Sequence, residues 1–163
     1  MTGFEYSFAG LLLSRGKIEE GVKVIKAVRD RFDGEKRNPW NEFECGNNYA
    51  RSMASFAILP ILCGFDFHLP KKHIGFDPRV NQGSFRSFFS VGTGWGVFTQ
   101  TESCASIRLE EGTLQLESIG LPFANQVTAV CVDGQPQSFT FKDGMLTFAM
   151  CTVKDTVEIT YLK

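Results

Sequence analysis

The sequence predicts an α+β fold, with about three N-terminal helices packed on a C-terminal antiparallel β-sheet or sandwich. Three observations predict it. Apolar residues recur at helical spacing up to about position 63. From Phe65 onward the period shortens toward two, with short aromatic and β-branched runs. Asp133-Gly134 and Asp143-Gly144 sit between alternating segments, where such pairs mark tight turns. A run of helices followed by a run of strands is the α+β pattern. The expected division is a helical segment at 1–66 and an antiparallel β segment at 67–163, together one compact domain.

The first helix is expected over residues 2–14. Thr2 with Glu5 three positions later has the form of a capping box. Phe4, Phe8, Leu11 and Leu12 form the expected apolar face, and Gly16 ends the helix. A second helix is expected at 18–32, burying Ile18, Val22, Ile25, Val28 and Phe32, with Asp33-Gly34 as its stop. The very short turn between the two makes an antiparallel helical hairpin. The third helix is expected at 48–63, with Tyr49, Met53, Phe56 and Ala57 on one side. Ala50, Ser52, Ala54 and Ser55 keep the other side small enough for close helix contacts, and Pro60 bends or shortens the last turn.

Short strands follow at 73–76, 84–89 and 94–100. Segments 105–109 and 113–119 alternate cleanly and read as a hairpin closed by Glu110-Glu111-Gly112. A second hairpin is expected between 127–132 and 138–142, and strands at 146–150 and 156–162 close the chain. The chain holds 16 Phe, many within 65–98, and the simplest use for that aromatic load is a core.

The totals exclude several classes. At 163 residues, with 43% hydrophobic and 21% charged residues, the chain can bury a core of its own. A formal net charge of -1 without a basic block argues against nucleic acid as a partner. No apolar run reaches the roughly 18 residues of a membrane span. The N-terminus lacks the features of a secretory signal. Five Cys, at 45, 63, 104, 131 and 151, form no CxxC motif, so reduced thiols and a cytoplasmic location are expected, with no metal site and no cofactor.

The stretch that carries chemistry is Arg37-Asn38-Pro39-Trp40-Asn41-Glu42-Phe43-Glu44-Cys45-Gly46-Asn47-Asn48-Tyr49-Ala50-Arg51, between two helical patterns. Loops that concentrate such groups on a helical scaffold are often functional. Read as plain structure, Glu42 and Glu44 favour a helix start and Arg51 pairs with one of them. Read as a site, a carboxylate and a guanidinium can address a sugar hydroxyl from both sides, since a hydroxyl donates and accepts. Trp40 and Tyr49 then offer flat apolar faces to the C–H surface of the ring.

Thr2-Gly3-Phe4-Glu5-Tyr6, Val28-Arg29-Asp30-Arg31-Phe32-Asp33-Gly34, Asn38-Pro39-Trp40-Asn41-Glu42-Phe43-Glu44-Cys45-Gly46 and Tyr49-Ala50-Arg51-Ser52-Met53-Ala54-Ser55 occur in that order. As a set they resemble the C-terminal end of glycoside hydrolase family 116, which includes bacterial β-glucosidases and non-lysosomal, bile-acid-type glucosylceramidases. Ile74-Gly75-Phe76-Asp77-Pro78, Phe85-Arg86-Ser87-Phe88-Phe89 and Gly94-Trp95-Gly96 resemble the tail of the bacterial members. The resemblance is strong over roughly residues 2–100 and weak beyond. It implies a place at the end of a catalytic barrel of paired helices, with the nucleophile and the general acid upstream of the matched part. Three helices cannot make such a barrel, so the expectation is a truncated relative that is non-catalytic on its own. What carries over is a remnant glucose-binding pair, Glu42 and Arg51, with weaker assignments at Asn41, Trp40, Tyr49 and Glu5.

Other chemistry is disfavoured. Glycoside hydrolysis needs two carboxyls about 5–9.5 Å apart. Glu42 and Glu44 are the only close pair in the turn, and on a helix they diverge. No catalytic residue is therefore assigned. His68 and His73 flank Pro70-Lys71-Lys72 and read as a solvated loop. Gly92-Thr93-Gly94-Trp95-Gly96 lies between strands without a following helix, so it reads as a strand corner and not as a phosphate cradle. Cys45 has no His or Asn partner close in sequence and reads as a small buried residue. Three functions follow as expectations. The first is a homo-oligomeric carbohydrate-related protein with a glucoside as ligand. The second is a β-glucosidase subunit completed by another chain. The third is a structural or interaction module.

Overall fold

The computed structural model describes residues 2–39 and 51–163, and it divides into two compact units, 1–62 and 63–163. The class is α+β: helices in the first unit, two sheets in the second. Among the described residues no helix is long and apolar enough to cross a membrane.

In the helical unit, α1 (Thr2–Ser14) and α2 (Ile18–Arg29) form the expected hairpin. The turn has a defined cause. The Lys17 N–H donates to Leu12 O at 2.9 Å and the Gly16 N–H to Leu13 O at 3.0 Å, closing the last carbonyls of α1. Gly16 supplies the left-handed φ of +76° that this cap requires. Gly21 lets the helices approach, since a Cβ there would lie 2.7 Å from the Leu13 side chain.

The face that α1 buries differs from expectation. Tyr6, Ala9 and Leu13 are buried, while Phe4 is 68% exposed and Phe8 and Leu11 are each 54% exposed. The helix is apolar on both sides, so periodicity alone cannot choose between them. The small residues Ala9 and Gly10 decide it, because only that side admits a close neighbour; a Cβ on Gly10 would sit 3.3 Å from Ile61. The capping box does not form. Thr2 already lies within the helix, its buried Oγ1 has no hydrogen-bond partner among the described residues, and the Glu5 carboxylate turns to Arg31. In α2, Gly21 and Val28 are buried and Val22 is 43% exposed; the α-helix stops at Arg29 and the chain reaches Phe32 through tighter turns.

The expected third helix is two short ones, α3 (Arg51–Phe56) and α4 (Ile58–Cys63). Pro60 explains the break: it has no N–H for the carbonyl of Phe56, and its ring crowds that turn. Here too the exposed side is the expected apolar one, with Met53 72% and Phe56 58% exposed, while Ala54 and Ile58 pack with Tyr6, Leu13 and Val28.

In the second unit two sheets close over one core. The first comprises β1 (Asp66–His68), β2 (His73–Gly75), β6 (Leu114–Gly120), β9 (Phe139–Lys142) and β10 (Met145–Val153), ordered β1-β2-β6-β10-β9. The second comprises β3 (Ser84–Val91), β4 (Gly94–Thr101), β5 (Cys104–Gly112), β7 (Gln126–Val132), β8 (Gln135–Pro136) and β11 (Thr156–Leu162), ordered β3-β4-β5-β11-β7-β8. All pairings are antiparallel except β2 with β6, which is parallel. The inward residues of both sheets share one cluster that includes Ile74, Leu116, Ile119 and Leu146 from the first, and Phe98, Ile107, Val130 and Ile159 from the second. The Phe-rich stretch serves this core: Phe76 and Phe98 stack with centroids 4.0 Å apart, and Phe89 is buried beside them.

Two expected hairpins are absent. β5 and β6 lie in different sheets, so Glu110-Glu111-Gly112 is a corner and not a reversal. A bulge near Glu110 and Gly112 at φ +90° turn the chain there, and Gly112 is held against the carbonyl of Thr93, which a Cβ would meet at 2.2 Å. Segment 127–132 does not pair with 138–142. It pairs with the two-residue β8 across Asp133-Gly134, after which the chain changes sheet and β9 joins β10 across Asp143-Gly144. His68 ends β1 and is solvent-exposed, as is the turn at 69–71, whereas His73 begins β2 and its side chain is only 11% exposed. Gly92 and Thr93 form a two-residue hairpin turn between β3 and β4, a reversal and not the expected corner, and Gly94-Trp95-Gly96 belong to β4.

Candidate functional site

Of the residues singled out in the sequence, Trp40, Asn41, Glu42, Glu44, Cys45 and Tyr49 lie outside the described residues. Arg51 is the first residue of α3. The flanking framework is well defined. After α2 the chain makes a self-contained loop around Asp33. Its Oδ1 accepts the backbone N–H groups of Glu35 at 3.1 Å and Lys36 at 2.9 Å. The Lys36 ammonium donates to Asp33 Oδ2 at 2.8 Å and to the carbonyl of Asp30 at 2.9 Å. Gly34 takes φ +96°, and its N–H donates to the carbonyl of Arg37. The Arg37 guanidinium then lies over Phe32, 5.6 Å from the ring centroid. The Lys36 side chain and backbone N–H hold the Asp33 carboxyl down at about 2, and Asp33 in turn raises the Lys36 ammonium.

Glu5 has a definite role. Both of its carboxylate oxygens accept from Nη2 of Arg31, each at 2.7 Å. The bond joins α1 to the end of α2 across 26 residues of sequence and is charge-assisted. Sequence reading treated Glu5 as a cap and a weak sugar contact, and did not assign it Arg31. The signal was present, since both residues fall in the motif set, but nothing in their spacing says that they meet.

In this framework the Glu5 carboxylate is held by Arg31 and that of Asp33 by Lys36. Among the described residues no group of three or more His, Cys, Asp or Glu is placed to hold a metal ion. In the second unit, burial raises the thiol of Cys63 to about 11 despite a hydrogen bond with Ser87, which makes it inert near neutrality. No protein-family model and no curated protein matches the chain.

Proposed function

We propose that the chain is a non-catalytic, carbohydrate-related protein, akin to the C-terminal part of family 116 β-glucosidases, with a remnant glucose-binding corner built on Glu42 and Arg51. The observation that carries this reading is the Glu5–Arg31 bridge. Two of the motifs that make up the resemblance, Thr2-Gly3-Phe4-Glu5-Tyr6 and Val28-Arg29-Asp30-Arg31-Phe32-Asp33-Gly34, meet through it. It supports the reading because motifs that belong to one ancestral corner have a physical reason to occur together. Arg37 and the Asp33 loop lead straight from that bridge into the polar turn, and Arg51 leaves it.

The test is glucose titration followed by Trp40 fluorescence, in a Trp95→Phe background so that one indole reports. A saturable change that Arg51→Ala abolishes is expected. Equal binding by the Arg51→Ala variant would remove the glucose corner from consideration.

A second reading has its own support. The exposed apolar side of α1, with Phe4, Phe8 and Leu11, suits a subunit that is completed by another chain. Release of nitrophenol from an aryl β-glucoside only when a partner chain is supplied would favour that reading over the first.

A further inference from the structure

Three Asp-Gly pairs occur in the chain, at 33–34, 133–134 and 143–144. The dipeptide has a reactivity of its own. Glycine has no Cβ to shield its backbone nitrogen, so that nitrogen can attack the side-chain carboxyl of the aspartate before it. Attack requires that the carboxyl be free to turn toward the nitrogen. The fold gives the three pairs unequal freedom.

Asp133-Gly134 and Asp143-Gly144 are matched turns. Each is a two-residue link closed by a strand pair, Val132 with Gln135 and Lys142 with Met145. The φ values are 47° and 76° in the first and 51° and 75° in the second, the two positive values of a type I′ turn. Their carboxylates differ. That of Asp133 accepts the backbone N–H groups of Lys154 at 3.0 Å and of Asp155 and Thr156 at 2.9 Å each. Asp33 is fixed by the N–H groups of Glu35 and Lys36 and by the Lys36 ammonium, and the Gly34 nitrogen is itself engaged, donating to the carbonyl of Arg37 at 3.1 Å. Both carboxyls are held below their ordinary range, which depletes the acid form that releases water. Asp143 is exposed, and its side chain has no hydrogen bond or ion pair among the described residues.

We propose that Asp143-Gly144 is the site at which this chain converts to isoaspartate, and that the partners of Asp33 and Asp133 protect the other two pairs. The Gly144 nitrogen bonds to Cγ of Asp143, the Cγ–OH bond breaks, and the hydroxyl leaves with the amide proton as one water. The resulting succinimide takes up one water again. Opening at Cγ restores aspartate, and opening at the α-carbonyl carbon gives isoaspartate, so nothing is oxidised or reduced and no co-reactant is consumed. Isoaspartate adds one carbon to the main chain inside a turn with little room. The Leu121 N–H donates to the Gly144 carbonyl at 2.7 Å, and a Cβ on Gly144 would meet Cα of Pro122 at 2.8 Å. The turn joins β10 to β9, a four-residue strand at the edge of its sheet, so conversion breaks the Leu121 bond and loosens that edge.

The test is incubation of the folded protein at pH 6 and 37 °C, with a parallel sample unfolded in urea. Isoaspartate is mapped by digestion with an aspartate-directed protease, which does not cut at isoaspartate, and mass spectrometry. In the folded protein residue 143 should convert about tenfold faster than residues 33 and 133, the effect of a barrier raised by one charge-assisted hydrogen bond. In urea the three should convert at comparable rates, because the protection is tertiary. The proposal is overturned if residue 33 or 133 of the folded protein converts as fast as residue 143. It is equally overturned if residue 143 converts in urea and not in the folded protein, or if the three rates differ as much in urea as in the fold. In the converted protein the Leu121 amide should exchange faster with solvent. Unchanged protection there would overturn the loosening of the sheet edge.

Discussion

Asp33 lies at the point where a helix ends and the polar turn is entered, and its charge organises that corner. Its carboxyl is held at about 2 against an ordinary 3.8, first by the Lys36 side chain and then by the Lys36 backbone N–H. A lowered folded value means that the contribution to stability is present above pH about 4 and is lost as pH falls toward 2. NMR titration of the Asp33 carboxyl should give a midpoint near 2, and Lys36→Gln should move it up toward 3.8. An unchanged midpoint in that variant would mean that the backbone donors alone hold the charge. Asp133 works the same way. Burial by itself would raise it, but the N–H groups of Asp155, Thr156 and Lys154 outweigh burial and leave it lowered. The cysteines separate by burial. Maleimide labelling at pH 7.5, mapped by mass spectrometry, should mark exposed Cys104 quickly and Cys63 only on unfolding. Labelling at equal rates would contradict the buried position of Cys63.

At the scale of elements, close approach decides more than hydrophobicity does. α1 has apolar residues all round, and the side that packs is the one with Ala9 and Gly10. Gly21 gives a direct test. Replacing a helical glycine by alanine gains about 1 kcal/mol of helix propensity. At this position the new Cβ would stand 2.7 Å from Leu13, a fully buried side chain with little room to give. Overpacking of that kind costs about 1–3 kcal/mol. Gly21→Ala is therefore expected to lower the urea midpoint, and a raised midpoint would show that the α1–α2 contact is looser than described. The same rule explains the two missing hairpins. Alternation along 105–109 and 113–119 was legible, and so were the turn residues. Whether a turn reverses the chain or carries it to the opposite sheet depends on what the turn packs against. At Gly112 that is the carbonyl of Thr93, nearly twenty residues earlier.

At the scale of the molecule, large apolar side chains are exposed in both units, and in the helical unit Phe4, Phe8, Leu11, Met53, Phe56 and Leu59 are each at least 47% exposed. A helix apolar on both sides is stable in water only when both sides are covered. Self-association through this unit is the expected consequence, and light scattering across concentration should detect it. The double variant Phe4→Glu/Phe8→Glu should shift the population to monomer with its circular dichroism unchanged. A parent that stays monomeric at high concentration would argue for a different covering partner. The second unit carries its own closed core, with Phe76, Phe98, Leu114, Leu116 and Tyr161 fully buried, while Met150 and Leu162 are each 54% exposed.

Composition and period by themselves determined the α+β class, the helical hairpin with its Gly16 stop, most strand positions and the use of the phenylalanines as core. These follow from local physics: a glycine that takes positive φ, a period of 3.6 or 2, and the burial of aromatic area. Only the tertiary structure decided which side of α1 is buried, that Glu5 belongs to Arg31, that β2 and β6 run parallel, and that 110–112 is a corner. Each of those depends on partners distant in sequence, whose approach is set by chain packing and not by neighbours along the chain. The seat of the His73 ring is of the same kind, since Gly75 and Gly120 are unremarkable until the register sets them side by side beneath it.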